Sequence, residues 1–342
     1  MVEPMPAGVD RRVARLAAAV AGAASPLERL ARHRTDLVPI LTYHRVVPAE
    51  ALADACPSTT SATTGQLRRQ LRFIAEHRHA LTMDELLRVR RGEQEAPPGS
   101  IVVTFDDGYA DFAEWAWPAL QEHGVPAVLF VPTALISQDG PGFWWDRLWL
   151  SLLHTDRPTT GPTPVGELPL GSHPRAEHAH RRLRNVLKGL PHDDLMADVE
   201  RLVGRLGAGP PAPRLLGWGD LRRLEQEGLA VGSHSATHPL LTRVSPARRA
   251  EELVGSLRTL RTEVCSAPPV LAYPGGEADD EVVADAAEAG YEMAFGTRRG
   301  VVDVRHADWY RLERINVSPR VSWGALRAQL SPPMAELASS FT

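Results

Sequence analysis

Two short stretches of the chain hold residue types able to do chemistry together. Thr104-Phe105-Asp106-Asp107-Gly108-Tyr109 places two adjacent carboxylates just past the apolar run Ile101-Val102-Val103. Gly232-Ser233-His234-Ser235-Ala236-Thr237-His238 places two imidazoles four positions apart, just past Leu229-Ala230-Val231. One carboxylate and two neutral imidazoles make a facial metal site with open positions for water and substrate. The spare carboxylate is then free to act as a general base. Each motif alone is weak, because Asp-Asp-Gly is commonly a turn and His-x-x-x-His is commonly a pair of surface histidines. Together, each after a β-like run, they outline a hydrolytic centre.

A centre of this kind needs strands to present it. Short, β-branched apolar runs alternate with amphipathic stretches, the pattern of parallel βα units. Strands are expected over 37–43, 100–105, 126–131, 229–233, 269–273, 291–296 and 312–317. Helices are expected near 64–78, 82–91, 109–122, 218–227, 246–264, 279–289 and 323–331. Thr82-Met83-Asp84-Glu85 reads as a capping box, and Ser245-Pro246 puts proline at a first helical position. Gly92, Gly124, Gly228 and Gly290 stand where helices should stop. Seven strands running in one sense imply an α/β barrel lacking one unit, with both motifs at strand ends, where such barrels carry their chemistry.

Two segments fall outside that rhythm. Residues 1–36 are expected to form a leading amphipathic helical segment: Val13, Leu16, Val20, Leu27 and Leu30 make a helical stripe edged by Arg11, Arg12, Arg15, Glu28 and Arg29. A secretory signal is the weaker reading, since Arg15 interrupts a short, alanine-dominated run. The barrel is then assigned to 37–342, with an insertion at about 136–216. The insertion opens with Phe143-Trp144-Trp145-Asp146-Arg147-Leu148-Trp149. A Pro/Thr/Gly-rich stretch at 157–168 is expected as a mobile surface loop, and 181–206 as helical. His173, His178 and His180 nearby are read as solvated.

At 342 residues, 43% hydrophobic and 23% charged, the chain has the make-up of a soluble protein with a sizeable core. A formal charge of -4 with no long basic run argues against a nucleic-acid partner. No apolar run is long enough to span a membrane, although the leading helix suits peripheral membrane contact. Lack of a convincing signal points to the cytoplasm, with membrane association as the variant. Cys56 and Cys265 lie far apart without a CxxC and read as free thiols.

Thr-Phe-Asp-Asp-Gly followed by His-Ser-x-x-His resembles the polysaccharide deacetylase family, the NodB-homology or carbohydrate esterase family 4 group. Leu271-Ala272-Tyr273-Pro274-Gly275-Gly276 is similar to that family's third motif. The resemblance covers roughly residues 37–319. It implies a distorted (β/α)7 barrel of the NodB-homology, glycoside hydrolase-deacetylase type. It also implies an enzyme that removes an N-acetyl group from an N-acetylated sugar or glycan. By position, Asp107, His234 and His238 would bind one divalent metal, most naturally zinc, with cobalt or iron as alternatives. Asp106 would be the base toward the metal's water, and the backbone N–H of Tyr109 would steady the oxyanion. Tyr43, Thr133, Trp144, Trp145 and Tyr273 are candidates for lining the cleft, because sugars stack on aromatic faces. The paired tryptophans could equally anchor the insertion.

The chain departs from the family pattern in three places. An arginine that usually orients the base two residues before the third-motif proline is Ala272 here; Arg298, Arg311 and Arg314 are the open substitutes. No Asp-Trp stands near 296–300, and Asp308-Trp309 reads as a lookalike. The late Leu-x-His that supplies the acid is absent, but Leu41-Thr42-Tyr43-His44 ends the first strand. This resembles the permuted, poly-N-acetylglucosamine-type branch and makes His44 the expected acid. Activity on another amide C–N bond, or an idle carbohydrate-binding relative, stand as alternatives. Which glycan is used, whether polymeric or lipid-linked, and the oligomeric state stay open.

Overall fold

The computed structural model describes residues 33–136, 140, 142–207 and 209–330. The expected leading helix therefore lies outside the described residues. In chain order the elements are β1 (Leu37–Val38), β2 (Ile40–Tyr43), β3 (Arg45–Val47), β4 (Thr60–Thr63), α1 (Thr64–His77), β5 (His79–Ala80), α2 (Met83–Arg90), β6 (Ser100–Phe105), α3 (Trp117–His123) and β7 (Val128–Val131). Then come α4 (Trp144–His154), α5 (His173–Leu187), α6 (His192–Leu206), α7 (Trp218–Gln226), β8 (Ala230–Ser233), α8 (Pro246–Glu263), β9 (Val270–Ala272), α9 (Asp280–Glu288), β10 (Met293–Phe295), β11 (Val302–Asp303), β12 (Ile315–Asn316) and α10 (Trp323–Gln329).

Seven strands pair in the order β10-β9-β8-β7-β6-β2-β12, every pair parallel. The two ends then meet, because Leu312, just ahead of β12, bridges back to Phe295 of β10. Leu312 donates to the Ala294 carbonyl at 3.0 Å and accepts from Gly296 at 2.9 Å. The result is the distorted (β/α)7 barrel that the strand count implied. Strand parity sorts its two faces. Ile40, Val102, Val128, Phe130, Val270, Ala272, Met293 and Phe295 pack into one cluster inside the ring. Leu41, Ile101, Val103, Leu129, Val231 and Ile315 pack outward under the helices. Burial on both faces explains why β6 reads as a continuous apolar run.

The predicted elements differ from the observed ones in particular places. Pro39 has no N–H to give, so the first strand splits, and β1 pairs antiparallel with β11 off the barrel. The helix expected from 109 opens as a π-type turn over Phe112–Ala116 before α3, since Pro118 cannot bond back to Glu114. The single helical stretch expected over 181–206 is two helices, α5 and α6, parted by Lys188-Gly189-Leu190-Pro191. Thr159 and Thr160 pair with Pro169 and Leu168, which ties the ends of the Pro/Thr/Gly stretch together.

α4, α5 and α6 build a second core of their own around Leu148, Trp149, Leu183 and Val199, joined to the barrel through Tyr109. His180 corrects the solvated reading. It is buried there with Nε2 3.1 Å from the Trp145 carbonyl, and burial pushes its pKa down to about 4. Both cysteines are free. Among the described residues no helix is long and apolar enough to cross a membrane.

Candidate active site

All the chemistry-bearing residues stand just beyond the carboxyl ends of the strands, His44 after β2, Asp106 and Asp107 after β6, His234 and His238 after β8. Parity sets the first division of labour. Val102, Thr104 and Asp106 share the inner face of β6, so Asp106 continues the barrel interior. Asp107 breaks from it through a left-handed turn at φ 78°, with Gly108 following at φ 70°. Ser235 and His238 also have positive φ, 62° and 59°. These three are the non-glycine residues with positive φ among the described ones, and each such position costs on the order of 1–3 kcal/mol. Strained backbone thus gathers at one point of the molecule.

Asp107, His234 and His238 offer ligand atoms all within 4.8 Å of one another. Asp107 Oδ1 lies 3.4 Å from His234 Nε2 and 3.5 Å from His238 Nε2, while its Oδ2 is buried without a partner. His234 turns Nε2 inward because its Nδ1 is engaged 2.6 Å from the Ala272 carbonyl, the outer contact that metal-binding histidines use. His238 packs edge-on against Trp145, ring centroids 4.9 Å apart. Burial holds its pKa down at about 3, keeping the imidazole neutral. Burial alone would raise Asp107, but the His234 hydrogen bond first, and His44 next, hold it at about 2. An anionic carboxylate with an orphaned oxygen, facing two imidazoles, fits a divalent cation.

Asp106 meets a different partner. Arg314, with its side chain 0% exposed, donates from Nη1 and Nη2 to the two carboxylate oxygens at 2.9 and 2.8 Å. Its Nε donates to the Gly296 carbonyl at 2.7 Å, and Nη1 also to Thr104 Oγ1 at 3.1 Å. Burial would raise Asp106, yet Arg314 first and His234 next bring it below the ordinary carboxylate value. Of the three arginines open in the sequence, this one reaches Asp106. Arg298 pairs with Glu313, and Arg311 with Asp280 and Asp308. The signal was present as parity: Leu312 and Arg314, just ahead of β12, alternate with Ile315, Leu312 in the inner cluster and Arg314 buried on the same side.

A cavity of about 80 Å³ opens over these groups, lined by His44, Asp106, Asp107, Trp145, His234, His238 and Tyr273 among others. Tyr43 lies away from it: the ring stacks on Phe105 in the core and its hydroxyl donates to Gln70. Trp144 lies outside the lining too, buried in the insertion core, and the Thr133 N–H is taken by the Ser235 carbonyl. Trp145 does both jobs weighed for the pair, since it lines the cavity and donates from Nε1 to the Tyr109 hydroxyl. Around Tyr109 the backbone bonds to 214–216 are made by Gly108 and Ala110, which leaves the Tyr109 N–H outside that pairing. Trp309 packs against the barrel cluster and Asp308 pairs with Arg311. Arg184 and Lys188 of the insertion also line the cavity, which the sequence reading had not anticipated. Burial lowers both pKa values.

A family model for polysaccharide deacetylases matches residues 93–294. The Bacillus subtilis (strain 168) protein YxkH, which carries the name of a polysaccharide deacetylase, is 18% identical over 86% of this chain and 76% of its own length. Among solved structures, the Streptococcus pyogenes deacetylase PplD, determined with acetate, superposes with a TM-score of 0.59 at 19% identity, covering 87% of this chain and 100% of that one. IcaB from Ammonifex degensii gives 0.54 at 17% identity over 86% and 97% of the two chains. The Aggregatibacter actinomycetemcomitans de-N-acetylase gives 0.54 at 15% identity over 86% and 100%. These likenesses agree in fold with the barrel described above, and the family match spans more than half of the chain. It belongs to the polysaccharide deacetylase family.

Proposed function

We propose that this deacetylase is a metal-dependent N-deacetylase of an acetamido sugar, with Asp106 as base and His44 as acid. The observation that carries the reading is the pair of buried aspartates held to opposite tasks. Asp106 is clamped by Arg314, while Asp107 faces two imidazoles with an oxygen to spare. Asp107, His234 and His238 would hold the ion, zinc by preference, with cobalt or iron compatible with the same donors. A divalent ion there supplies Lewis acidity, polarising an acyl carbonyl and easing the loss of a proton from water.

The chain's own residues do the rest. Arg314 keeps Asp106 ionised and fixed in orientation, so the carboxylate is ready to take the proton from the attacking water. The Tyr109 N–H is available to the oxygen that gains charge as the acetyl carbon becomes tetrahedral. His44 stands on the cavity wall to protonate the departing amine, which is a poor leaving group as an anion. Trp145 and Tyr273 offer apolar faces to the sugar.

Acetate release from N-acetylglucosamine oligomers by EDTA-treated protein, before and after zinc or cobalt is returned, tests the reading. Asp106→Asn should lose roughly 10²–10⁴-fold in kcat. Full release by that variant would remove the base assignment. His44→Ala should lose activity on the acetamide but little on p-nitrophenyl acetate, whose leaving group needs no proton. Equal losses on both would give His44 a different role.

A further inference from the structure

Arg184 lies in the last turn of α5, and Lys188 follows one turn later; its N–H bonds the Arg184 carbonyl. Both side chains point into the cavity that holds Asp106, Asp107 and His44. The other cations around the site are matched, Arg314 by Asp106, Arg45 by Asp111, Arg249 by Asp285 and Glu281. Arg184 and Lys188 make no ion pair or side-chain hydrogen bond among the described residues, and Arg184 Nε is buried without a partner. The carboxylates that act on Lys188 are Asp107 and Glu277. Asp107 is engaged by two imidazoles, and Glu277 lies on the exposed rim. Lys188 Nζ sits 4.0 Å from where a Cβ on Gly275 would stand, so the ammonium abuts the third-motif turn.

Half-buried cations without a direct ion-pair partner are costly unless something supplies the anion. A guanidinium fork with an ammonium beside it matches a phosphate or carboxylate, whereas a neutral acetamido sugar offers hydrogen-bond acceptors but no counter-charge. We infer that Arg184 and Lys188 form a subsite for an anionic substituent, a phosphate ester or a carboxylate, carried by the sugar being deacetylated. The inference rests on the N-deacetylase reading for the identity of the sugar. In this role the insertion selects the substrate as well as roofing the site.

The test is a binding titration on full-length, zinc-loaded Asp106→Asn protein. The probes are N-acetylglucosamine, its 1- and 6-phosphates, and N-acetylmuramic acid as the carboxylate arm. At least one anionic sugar should bind roughly 10–100-fold tighter than the neutral one, as charged hydrogen bonds to two cations allow. Adding Arg184→Gln with Lys188→Gln should erase most of that preference. Lys188→Gln alone, at a half-exposed position, keeps the test open should the double substitution unfold the chain. Equal affinity for neutral and anionic sugars overturns the subsite. So does a preference that survives the substitutions, which would assign anion binding to the metal. Because binding is read without turnover, the subsite can stand when acetate release fails, and acetate release can stand when the subsite fails.

Discussion

Asp106 and Arg314 show how a buried ion pair makes each charge depend on the other. The carboxylate is buried and takes both guanidinium nitrogens, and the guanidinium is in turn spent on Gly296 and Thr104. Pairing of this kind contributes little compared with an apolar pair, but removing one partner strands the other charge. Arg314→Ala should therefore lose about 3–5 kcal/mol in urea unfolding. The double variant Arg314→Ala/Asp106→Asn should recover part of it, because no buried anion is then left unmatched. Strict additivity of the two single losses would mean that the pair is not coupled.

At the scale of elements, the three-helix insertion is wired to the barrel through a buried polar chain. Trp145 Nε1 donates to the Tyr109 hydroxyl at 2.9 Å, and that hydroxyl donates to Asp146 Oδ2 at 2.6 Å. Asp146 Oδ1 has no partner, and burial outweighs the help of Arg45 and Tyr109, lifting its pKa from 3.8 to about 6. A carboxyl raised in the folded state holds its proton more tightly there than when unfolded. Its contribution to stability is therefore complete below about pH 4 and is lost as pH rises toward about 6, by about 3 kcal/mol. Asp146→Asn removes that dependence. Relative to the parent it should gain about 3 kcal/mol between roughly pH 4 and 7, read from unfolding curves at both ends. A difference that does not change with pH would show that Asp146 is already ionised at the acid end.

For the whole molecule, folding and metal binding should be linked. The three candidate donor residues come from the turns after β6 and β8, two strands that the folded sheet holds on either side of β7. An unfolded chain has no such site, so an ion bound only by the folded form stabilises it by RT ln(1 + [L]/Kd). Zinc at a hundredfold its Kd should add about 3 kcal/mol to the unfolding free energy. Asp107→Asn should lose most of that gain. A zinc effect untouched by Asp107→Asn would place the ion elsewhere.

By itself the sequence determined the seven barrel strands, the barrel class and the two motifs at strand ends. Those depend on period-two and period-3.6 patterning and on local turn chemistry, which are written in neighbouring residues. It named Asp106, Asp107, His234, His238 and His44, and the structure places all five around one cavity. Only the tertiary structure decided which of the three arginines meets Asp106, since Arg314 is more than two hundred residues away in sequence and reaches it where the ring closes. It also decided that Tyr43 belongs to the core, that Trp145 lines the cavity while Trp144 does not, and that Arg184 and Lys188 reach the cavity. The physical reason is the same in each case. The direction of a side chain follows from the packing of its element against the others, and the fall of α5 over the barrel mouth is set by a second core shared among α4, α5 and α6.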